Sequence, residues 1–362
     1  MNVGIVGCGK ISDVYIRNCA RFPGLKVVAC ADIDPARAQA KAGTYGIPRC
    51  CSTEELLLDP GVDVVLNLTV PLAHFEIARQ ALEAGKHVYN EKPLAVTREH
   101  GAGLLKIAAE RKRRIGCAPD TFMGAALQAC RKVIDTGAIG QPVAATAFMM
   151  CHGHESWHPD PDFYYQAGGG PLYDMGPYYL AALVHLLGPV RRVSAFTRKF
   201  SSARVIGSGP RKGTKVPVET DTHLSGTLEF ADGAICTMIM SFDAWAHHLP
   251  PMEIHGTEGS LSVPDPNNFG GTVGVMTPRS GKWEEVPVTF GYTENSRGLG
   301  LADMALAIDT RRPHRASAEL AFHVLDVMAA FYDSSRTGRH VEVVSRCERP
   351  VPMREELRFG EI

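Results

Sequence analysis

The stretch NVGIVGCGKIS, residues 2–12, leads from a short apolar run directly into a glycine-rich turn. Gly7 permits a tight turn, and Gly9 lets the backbone approach a pyrophosphate, because neither residue carries a Cβ. The small Ser12 suits close packing of a helix whose N-terminus offers N–H donors to phosphate. Asp32, at the end of the next apolar run, is placed to accept hydrogen bonds from a ribose. These features predict a dinucleotide-binding turn; the alternative is a glycine turn in an unrelated doubly wound fold.

The residues after the second run bear on the choice of cofactor. Asp32 is followed by Ile33 and Asp34, with no arginine beside them. Two carboxylates repel a 2′-phosphate, so the sequence favours NAD over NADP. The residues predicted to contact the cofactor in this half are Gly7, Gly9, Lys10, Ile11, Asp32, Thr69 and Pro71.

Residues 1–120 alternate short apolar runs with helix-like segments. The runs are continuous in Val, Ile, Leu and Ala, as expected of strands that are buried on both faces. Ser52 and Glu55 form a capping-box pattern, which predicts that a helix begins between them. The alternation predicts an α/β fold that starts with a Rossmann-type, doubly wound parallel sheet as the first domain, residues 1–120.

Residues 121–362 differ in character and are predicted to form a second α/β domain. After one connecting helix, several strand-like runs follow, and Asp232-Gly233 between two of them is a strong hairpin signal. Helical patterns return at residues 299–310 and 318–335. We therefore expect a mostly antiparallel sheet with helices on one face. The basic, glycine-rich stretch 201–217 is expected to be a solvated surface loop; the alternative is a phosphate site.

Composition argues against several classes of function. Lys plus Arg total 38 and Asp plus Glu total 39 among 362 residues, so charge provides no basis for binding nucleic acid or an anionic membrane. No apolar run approaches the roughly 20 residues of a membrane span, and no signal peptide is expected before the first strand. The ten cysteines include no CxxC pair, so reduced thiols and a cytoplasmic location are expected.

Four stretches carry a resemblance to a known family: GIVGCGKIS, AHFEIARQALEAGKHVYNEKPLA, VIDTGAIGQPVA and GGGPLYDMGPYYLAALVHLLG. In this order they resemble the Gfo/Idh/MocA family, the glucose–fructose oxidoreductase and inositol dehydrogenase group. The resemblance covers nearly the whole chain and implies a large, open, mostly antiparallel sheet in the second domain. It also implies hydride transfer between a nicotinamide and a secondary hydroxyl of a sugar, sugar derivative or cyclitol, and a homodimer or homotetramer.

Carried onto this sequence, the resemblance assigns the active-site lysine to Lys92 and the acidic residue to Asp174. The family usually has histidine four residues after that acid, where this chain has Tyr178. A further acidic residue of the family corresponds to Ala181 here. His74 matches a position common in the family, and packing or helix capping is its alternative role.

Three residues are candidates for catalysis: Lys92, Asp174 and Tyr178. Lys92 follows a strand at the edge where doubly wound sheets bind ligands. Asp174 and Tyr178 are four residues apart and share a helix face. An ammonium nearby would lower the pKa of the phenol, which makes Tyr178 a candidate proton acceptor. Alternatively, Asp174 caps its helix, or Tyr178 only packs and Lys92 alone handles the proton.

Residues that flank these candidates are also expected to contribute to the site. Glu91 pairs locally or orients Lys92, and Glu91, Lys92 and His74 complete the predicted cofactor contacts. Pro93 is expected to follow a cis bond that aims Lys92. The triple glycine at residues 168–170 is expected to pass close to nicotinamide or substrate, where a Cβ would collide.

The stretch HGHESWHPDPDFYY, residues 152–165, is rich in histidine and aromatic residues. On one face of an extended segment its imidazoles and Glu155 could bind zinc, but the spacing is loose and no metal is predicted. We predict a substrate wall, in which Trp157 packs on a sugar ring and imidazoles bind hydroxyls; a structural role is equally open. The predicted substrate contacts are Lys92, His152, His154, Trp157, His158, Asp174 and Tyr178.

The function favoured by the sequence is an NAD-dependent oxidoreductase acting on a secondary hydroxyl or ketone of a sugar, glycoside or cyclitol. One alternative is an enzyme that uses transient oxidation by NAD to cleave a glycoside or drive an elimination. The other is a non-catalytic NAD-sensing regulator, against which the presence of Lys92 and Asp174 argues.

Overall fold

The computed structural model describes residues 1–362, which form 17 strands and nine α-helices. The strands are β1 (Asn2–Val6), β2 (Lys26–Ala31), β3 (Arg49–Cys50), β4 (Val64–Asn67), β5 (His87–Asn90), β6 (Ile115–Cys117), β7 (Pro142–Met150), β8 (Val190–Arg198), β9 (Ala203–Val205), β10 (Lys215–Pro217), β11 (His223–Phe230), β12 (Ile235–Ser241), β13 (Met252–Gly256), β14 (Ser260–Val263), β15 (Gly274–Met276), β16 (Glu284–Glu285) and β17 (Val341–Glu342). The helices are α1 (Ser12–Cys19), α2 (Pro35–Tyr45), α3 (Thr53–Leu58), α4 (Pro71–Glu83), α5 (Arg98–Arg111), α6 (Ala125–Asp135), α7 (Gly170–Leu187), α8 (Leu299–Asp309) and α9 (Ala318–Thr337).

The first sheet has six parallel strands in the order β3-β2-β1-β4-β5-β6. This is the strand order of a doubly wound nucleotide-binding fold, so the prediction for this part of the chain is confirmed. The order reverses between β1 and β4, and ligands bind outside the carboxyl ends of the strands at such a point. Gly7 and Lys92 both follow strands at that edge.

Local sequence signals set several element boundaries. The Ser52 hydroxyl accepts a hydrogen bond from the Glu55 N–H at 3.2 Å, and the Glu55 carboxylate accepts one from the Ser52 N–H at 2.9 Å. This confirms the predicted capping box at the start of α3. The hairpin predicted at Asp232-Gly233 joins β11 and β12 as an antiparallel pair, and Gly233 has a φ of 91°.

The second sheet has nine strands in the order β16-β15-β14-β13-β7-β12-β11-β8-β17. Every neighbouring pair is antiparallel except β7 and β12, which are parallel. The large, mostly antiparallel sheet is therefore confirmed. Residues 201–217 were expected to form a solvated loop, but they contain the β9–β10 hairpin and the buried side chains of Arg204, Ile206 and Val216.

Two helices place the second half of the chain against the first. In α7 every residue except Asp174 and Met175 is buried, and the helix packs on β7, β11 and β12. Helix α9 packs on β8 of the large sheet and also on α5 and β6 of the small one. This arrangement brings the N-terminal turns of α7 to the carboxyl edge of the parallel sheet. The division into domains at residue 120 stays a prediction.

No helix has both the length and the apolar character needed to cross a membrane. All ten cysteines are free thiols.

Candidate active site

A cavity of about 1780 Å³ lies along the carboxyl edge of the parallel sheet and reaches α7. Gly7 and Asp32 line one part of it, and Lys92 and Asp174 line another. Both halves of the chain therefore contribute to one continuous site.

The glycine turn forms a cradle for a phosphate group. Gly7 has a φ of 101°, and a Cβ there would lie 2.6 Å from the Leu68 carbonyl carbon. A Cβ on Gly9 would meet no atom within 4 Å, because this residue borders the open cavity. Helix α1 begins just beyond, at Ser12, so its free N–H groups lie beside this space. The turn fits the pyrophosphate of a dinucleotide.

The Asp32 carboxylate is held at the cavity by backbone donors. Its Oδ2 accepts a hydrogen bond from the Cys8 N–H at 2.7 Å, and its Oδ1 accepts one from the Asp34 N–H at 2.9 Å. Arg37 on the adjoining helix α2 also lines the cavity and is paired with Asp34 at 3.4 Å. A fixed carboxylate with further lone pairs free is suited to binding ribose hydroxyls.

Nine of the predicted cofactor contacts line the cavity, namely Gly7, Gly9, Lys10, Ile11, Asp32, Thr69, Pro71, Glu91 and Lys92. His74 does not line the cavity, in contrast to the predicted contact. Its ring is 1% exposed, with Nδ1 2.6 Å from the Pro93 carbonyl oxygen and Nε2 3.0 Å from that of Thr69. His74 therefore braces two cavity-lining loops and is not itself exposed to the cavity.

Lys92 is fixed by its neighbours on both sides. The Glu91 carboxylate accepts hydrogen bonds from the Tyr15 hydroxyl at 2.7 Å and from the Lys92 N–H at 2.9 Å, and the Lys92–Pro93 bond is cis, as expected. The Lys92 ammonium donates to the Asp174 carbonyl oxygen at 2.6 Å and to Asp174 Oδ1 at 2.8 Å. Two of its three N–H donors are thus used, and one remains for a ligand.

Lys92 and Asp174 stabilise each other's charged forms. Burial is the largest single effect and disfavours the Lys92 ammonium, but Asp174, Tyr178 and Glu91 together outweigh it and raise the pKa of Lys92 above its ordinary value. Burial likewise disfavours the Asp174 carboxylate, yet Lys92 and His154 lower its pKa to about 2. Both side chains therefore stay ionised at neutral pH.

Tyr178 lies between two cations. Its ring centroid is 5.4 Å from Lys92 Nζ and 5.8 Å from Arg297 Cζ, and its hydroxyl accepts a hydrogen bond from Arg297 at 3.4 Å. Lys92 lowers the pKa of this phenol, as expected, but this effect does not determine its protonation state. Burial is the larger effect and raises the pKa of Tyr178, so the phenol stays protonated at neutral pH.

The histidine-rich segment forms one wall of the cavity, but not in the predicted way. Gly153 has a φ of 75°, and the N–H groups of Trp157 and His158 donate to the His154 carbonyl oxygen, so the segment turns instead of extending. His154, Trp157 and His158 line the cavity. The three imidazoles do not share a face, and no group of three acidic, histidine or cysteine side chains is arranged to hold a metal ion.

His152 does not line the cavity, although the sequence predicted that it contacts substrate. Its ring stacks on Trp245 with centroids 3.4 Å apart, and its Nε2 is 3.5 Å from Arg204 Nη1. Arg204 also pairs with Glu155 at 3.4 Å and with Asp243. These buried charges anchor the segment from the side opposite the cavity.

His154 is the member of the segment that reaches α7. Its Nε2 lies 3.0 Å from Asp174 Oδ2. The rings of Tyr164, Phe242 and Trp157 surround it edge-on, at centroid distances of 4.4, 4.7 and 5.3 Å. Asp174 therefore contacts Lys92 through one carboxylate oxygen and His154 through the other.

Two family models match most of the chain. The model described as "Oxidoreductase family, NAD-binding Rossmann fold" matches residues 1–118, and "GFO/IDH/MocA C-terminal domain" matches residues 127–262. Inositol 2-dehydrogenase of Ralstonia nicotianae is 30% identical over 277 residues, which cover 74% of each chain. The chain belongs to the Gfo/Idh/MocA family. It is an oxidoreductase with an NAD-binding Rossmann fold.

Other members of the Gfo/Idh/MocA family are similar along nearly the whole length. D-glucoside 3-dehydrogenase of Escherichia coli is 27% identical over 357 residues, 95% of this chain and 97% of that protein. The solved structure of a levoglucosan dehydrogenase in complex with NADH and L-sorbose has a TM-score of 0.82 at 23% identity. It covers 95% of this chain and 99% of the other, and so shows the shared fold.

Several cavity residues of this family member were not predicted from the sequence, among them Tyr164, Asn267 and Arg297. Arg297 donates to the Asn267 side-chain oxygen at 2.7 Å. The following turn is held by Asp120, whose Oδ2 accepts hydrogen bonds from the N–H groups of Gly298 and Gly300, both at 2.9 Å. No spacing links residues 120, 267 and 297, so no sequence pattern could have grouped them.

The triple glycine of the family motif is required for a different reason from the expected one. A Cβ on Gly169 would lie 2.4 Å from the Phe163 carbonyl oxygen, and one on Gly168 would lie 2.5 Å from Val96. The collisions are therefore with the protein's own atoms, although both glycines line the cavity. Because Gly168 and Gly169 lack side chains, the histidine-rich segment can pack against the start of α7.

Proposed function

We propose that this protein is an NAD-dependent oxidoreductase that transfers a hydride between nicotinamide and a secondary hydroxyl or ketone of a sugar, glycoside or cyclitol. The observation that carries the proposal is the ionised Lys92–Asp174 pair, 2.8 Å apart, in the same cavity as the glycine turn. The names of the two similar curated dehydrogenases, for an inositol and a D-glucoside, support the substrate class.

We assign the cofactor's pyrophosphate to the turn at Gly7 and Gly9 and its adenosine ribose to Asp32. The two backbone donors that fix the Asp32 carboxylate keep its charge where a 2′-phosphate would lie, which favours NAD over NADP. When bound, NAD supplies the hydride acceptor for the substrate carbon. The chain's own residues supply the remaining requirements of the reaction.

We assign Lys92 the role of binding the reacting oxygen. Its third N–H is free once two have been donated to Asp174, and its positive charge stabilises a developing alkoxide. Asp174 positions this ammonium. Trp157 and His158 are proposed as the wall that packs on the sugar, and Tyr178 as a neutral hydroxyl that orients it.

The experiment is a screen of purified protein with NAD against sugars, inositols and glycosides, following NADH absorbance. Net NADH that depends on a polyol substrate supports the proposal. Conversion of a glycoside without net NADH would indicate transient oxidation instead. Binding of NAD with no conversion of any substrate would indicate a sensing role.

A homodimer or homotetramer is part of the same proposal. Phe196 and Ile235 oppose Ser225 and Glu229 of β11, so they lie on one face of the large sheet, where they are 79% and 52% exposed. A second copy would cover this apolar face, and sedimentation velocity would show a monomer if the assignment is wrong. The cytoplasmic location stays a prediction from the sequence.

A further inference from the structure

We propose that His154 is the catalytic acid–base residue, which takes the hydroxyl proton through Nδ1 while Asp174 holds Nε2–H. This inference rests on the proposed function. The residue four positions after Asp174 on α7 is Tyr178, whose phenol keeps its proton. The structure brings an imidazole to the same acid from a different element, the segment that follows β7.

The contact with Asp174 determines which nitrogen of His154 carries the proton. Asp174 is ionised and therefore only accepts hydrogen bonds, so Nε2, 3.0 Å from Oδ2, is the donor. The neutral ring then has its lone pair on Nδ1. No protein group forms a hydrogen bond with that nitrogen. It is also not among the buried polar atoms that lack a hydrogen-bond partner, so it is open to solvent. Since His154 lines the cavity, Nδ1 is available to a substrate hydroxyl.

The same carboxylate–imidazole arrangement is a general way of orienting a base. The carboxylate fixes the tautomer and favours the imidazolium that forms when a proton is taken up. The edge-on rings of Tyr164, Phe242 and Trp157 restrict the other movements of the imidazole. The side chain is 16% exposed, so it is held in place yet open on one side.

The titratable groups next to His154 and Asp174 each keep one protonation state at neutral pH. The pKa of Lys92 is raised by Asp174, so the lysine remains an ammonium and a hydrogen-bond donor. The pKa of Tyr178 is raised by burial, so its phenol keeps its proton. Asp174 has one oxygen on Lys92 and the other on His154. An imidazole is the remaining group suited to exchanging a proton near neutral pH.

The proposed step moves one proton to His154 and one hydride to NAD, which is the oxidant. The hydroxyl proton moves to His154 Nδ1, and the O–H electron pair forms the second C–O bond. The C–H electron pair leaves the carbon with its hydrogen as a hydride, which NAD accepts. In the reverse direction the imidazolium returns the proton to the ketone oxygen, which Lys92 also contacts.

The groups that determine the pH response surround the ring on several elements. Asp174 on α7 contacts the ring and holds Lys92 through its other carboxylate oxygen, and Tyr164 and His158 lie beside the ring in its own segment. Phe242, after β12, and Trp157 pack edge-on against the ring with apolar surface. Because the proposed step requires a neutral imidazole, activity in the oxidation direction should fall on the acid side of the pH profile.

The test compares His154→Gln and His154→Asn with His255→Gln, a control on β13 of the large sheet. We expect each His154 variant to lose about 10²–10⁴-fold in kcat while NAD binds with unchanged affinity. The acid limb of the pH profile should disappear, and imidazole added to His154→Ala should restore part of the rate. His154 variants within a few-fold of the parent, with the acid limb intact, would overturn the assignment.

A second measurement does not depend on turnover. Nitrogen NMR of the labelled imidazole reports its tautomer directly, and we expect a protonated Nε2 and an unprotonated Nδ1 at pH 8. The opposite tautomer would refute the role of His154. The NADH screen tests the proposed function separately, so a failure of one is not mistaken for a failure of the other.

Discussion

The ammonium of Lys92 is bound by both the main chain and the side chain of Asp174, with Nζ 2.6 Å from the carbonyl oxygen and 2.8 Å from Oδ1. The second carboxylate oxygen lies 3.0 Å from His154 Nε2. One residue of α7 thus positions a cation that follows β5 and an imidazole that follows β7. A change at Asp174 should therefore disturb oxygen binding and proton transfer together.

Replacing Lys92 by methionine should abolish most activity without affecting cofactor binding. Lys92→Met keeps much of the side-chain volume but removes the donor for the reacting oxygen, so kcat should fall by about 10²–10⁴-fold. Steady-state kinetics and NAD titration measure the two effects. Lys106→Met, on the exposed face of α5, is the control and should behave as the parent. A Lys92 variant with nearly normal kcat would place the reacting oxygen elsewhere.

Asp174→Asn should lower stability in a way that depends on pH. The native pKa of Asp174, about 2 against an ordinary 3.8, corresponds to roughly 2 kcal/mol of stabilisation. Because the native value is the lower one, this stabilisation is present above the ordinary pKa and is lost as the pH falls toward about 2.

Urea unfolding of the parent and Asp174→Asn across this pH range checks that expectation. The difference in free energy of unfolding should be largest near neutral pH and should shrink on acidification. A difference that stays constant from pH 6 to pH 2 would show that the carboxylate charge does not contribute.

Tyr178→Phe should have a smaller effect than loss of a base would produce. The variant keeps the ring between Lys92 and Arg297 and removes one neutral hydroxyl, worth about 1 kcal/mol. We expect kcat to fall by about tenfold or less and the acid limb of the pH profile to remain. If kcat instead fell several hundredfold and the acid limb disappeared, the phenol would be the proton acceptor.

Asp32→Ala should weaken NAD binding and reduce discrimination against NADP, since it removes the carboxylate that repels a 2′-phosphate. Asp34→Ala is the comparison, because Asp34 caps α2 by accepting a hydrogen bond from the Ala36 N–H at 3.0 Å. That variant should lose about 1 kcal/mol of stability and change the cofactor preference less than Asp32→Ala does. Equal affinity of the parent for NAD and NADP would contradict the role of Asp32.

Features encoded within a few neighbouring residues could be predicted from the sequence. The turn at Gly7, the capping box at Ser52 and the hairpin at Gly233 each depend on local backbone preferences, and all three are present. The alternation of strands and helices likewise predicted the parallel sheet, because a buried parallel strand has a distinctive composition.

Features that depend on packing could not be predicted in the same way. His152 and His154 are two residues apart, and only the turn at Gly153 sends one behind the wall and the other into the cavity. The direction of the Tyr178 pKa shift depends on its burial, which exceeds the effect of nearby cations. Arg297 and Tyr178 are 119 residues apart in the sequence, so no local sequence pattern could predict their contact.

Because the C-terminal helices pack on the first sheet, the nucleotide-binding half should not fold well alone or when it is transferred by itself into another protein. The Cys117 N–H at the edge strand donates to the Ala316 carbonyl oxygen at 3.0 Å, and Phe322 and Leu325 of α9 pack on Gly101 of α5. A fragment cut after residue 120 would expose this strand edge and this apolar surface to solvent. Such a fragment should aggregate, and chimaeras with related enzymes should exchange residues 299–337 together with the first half.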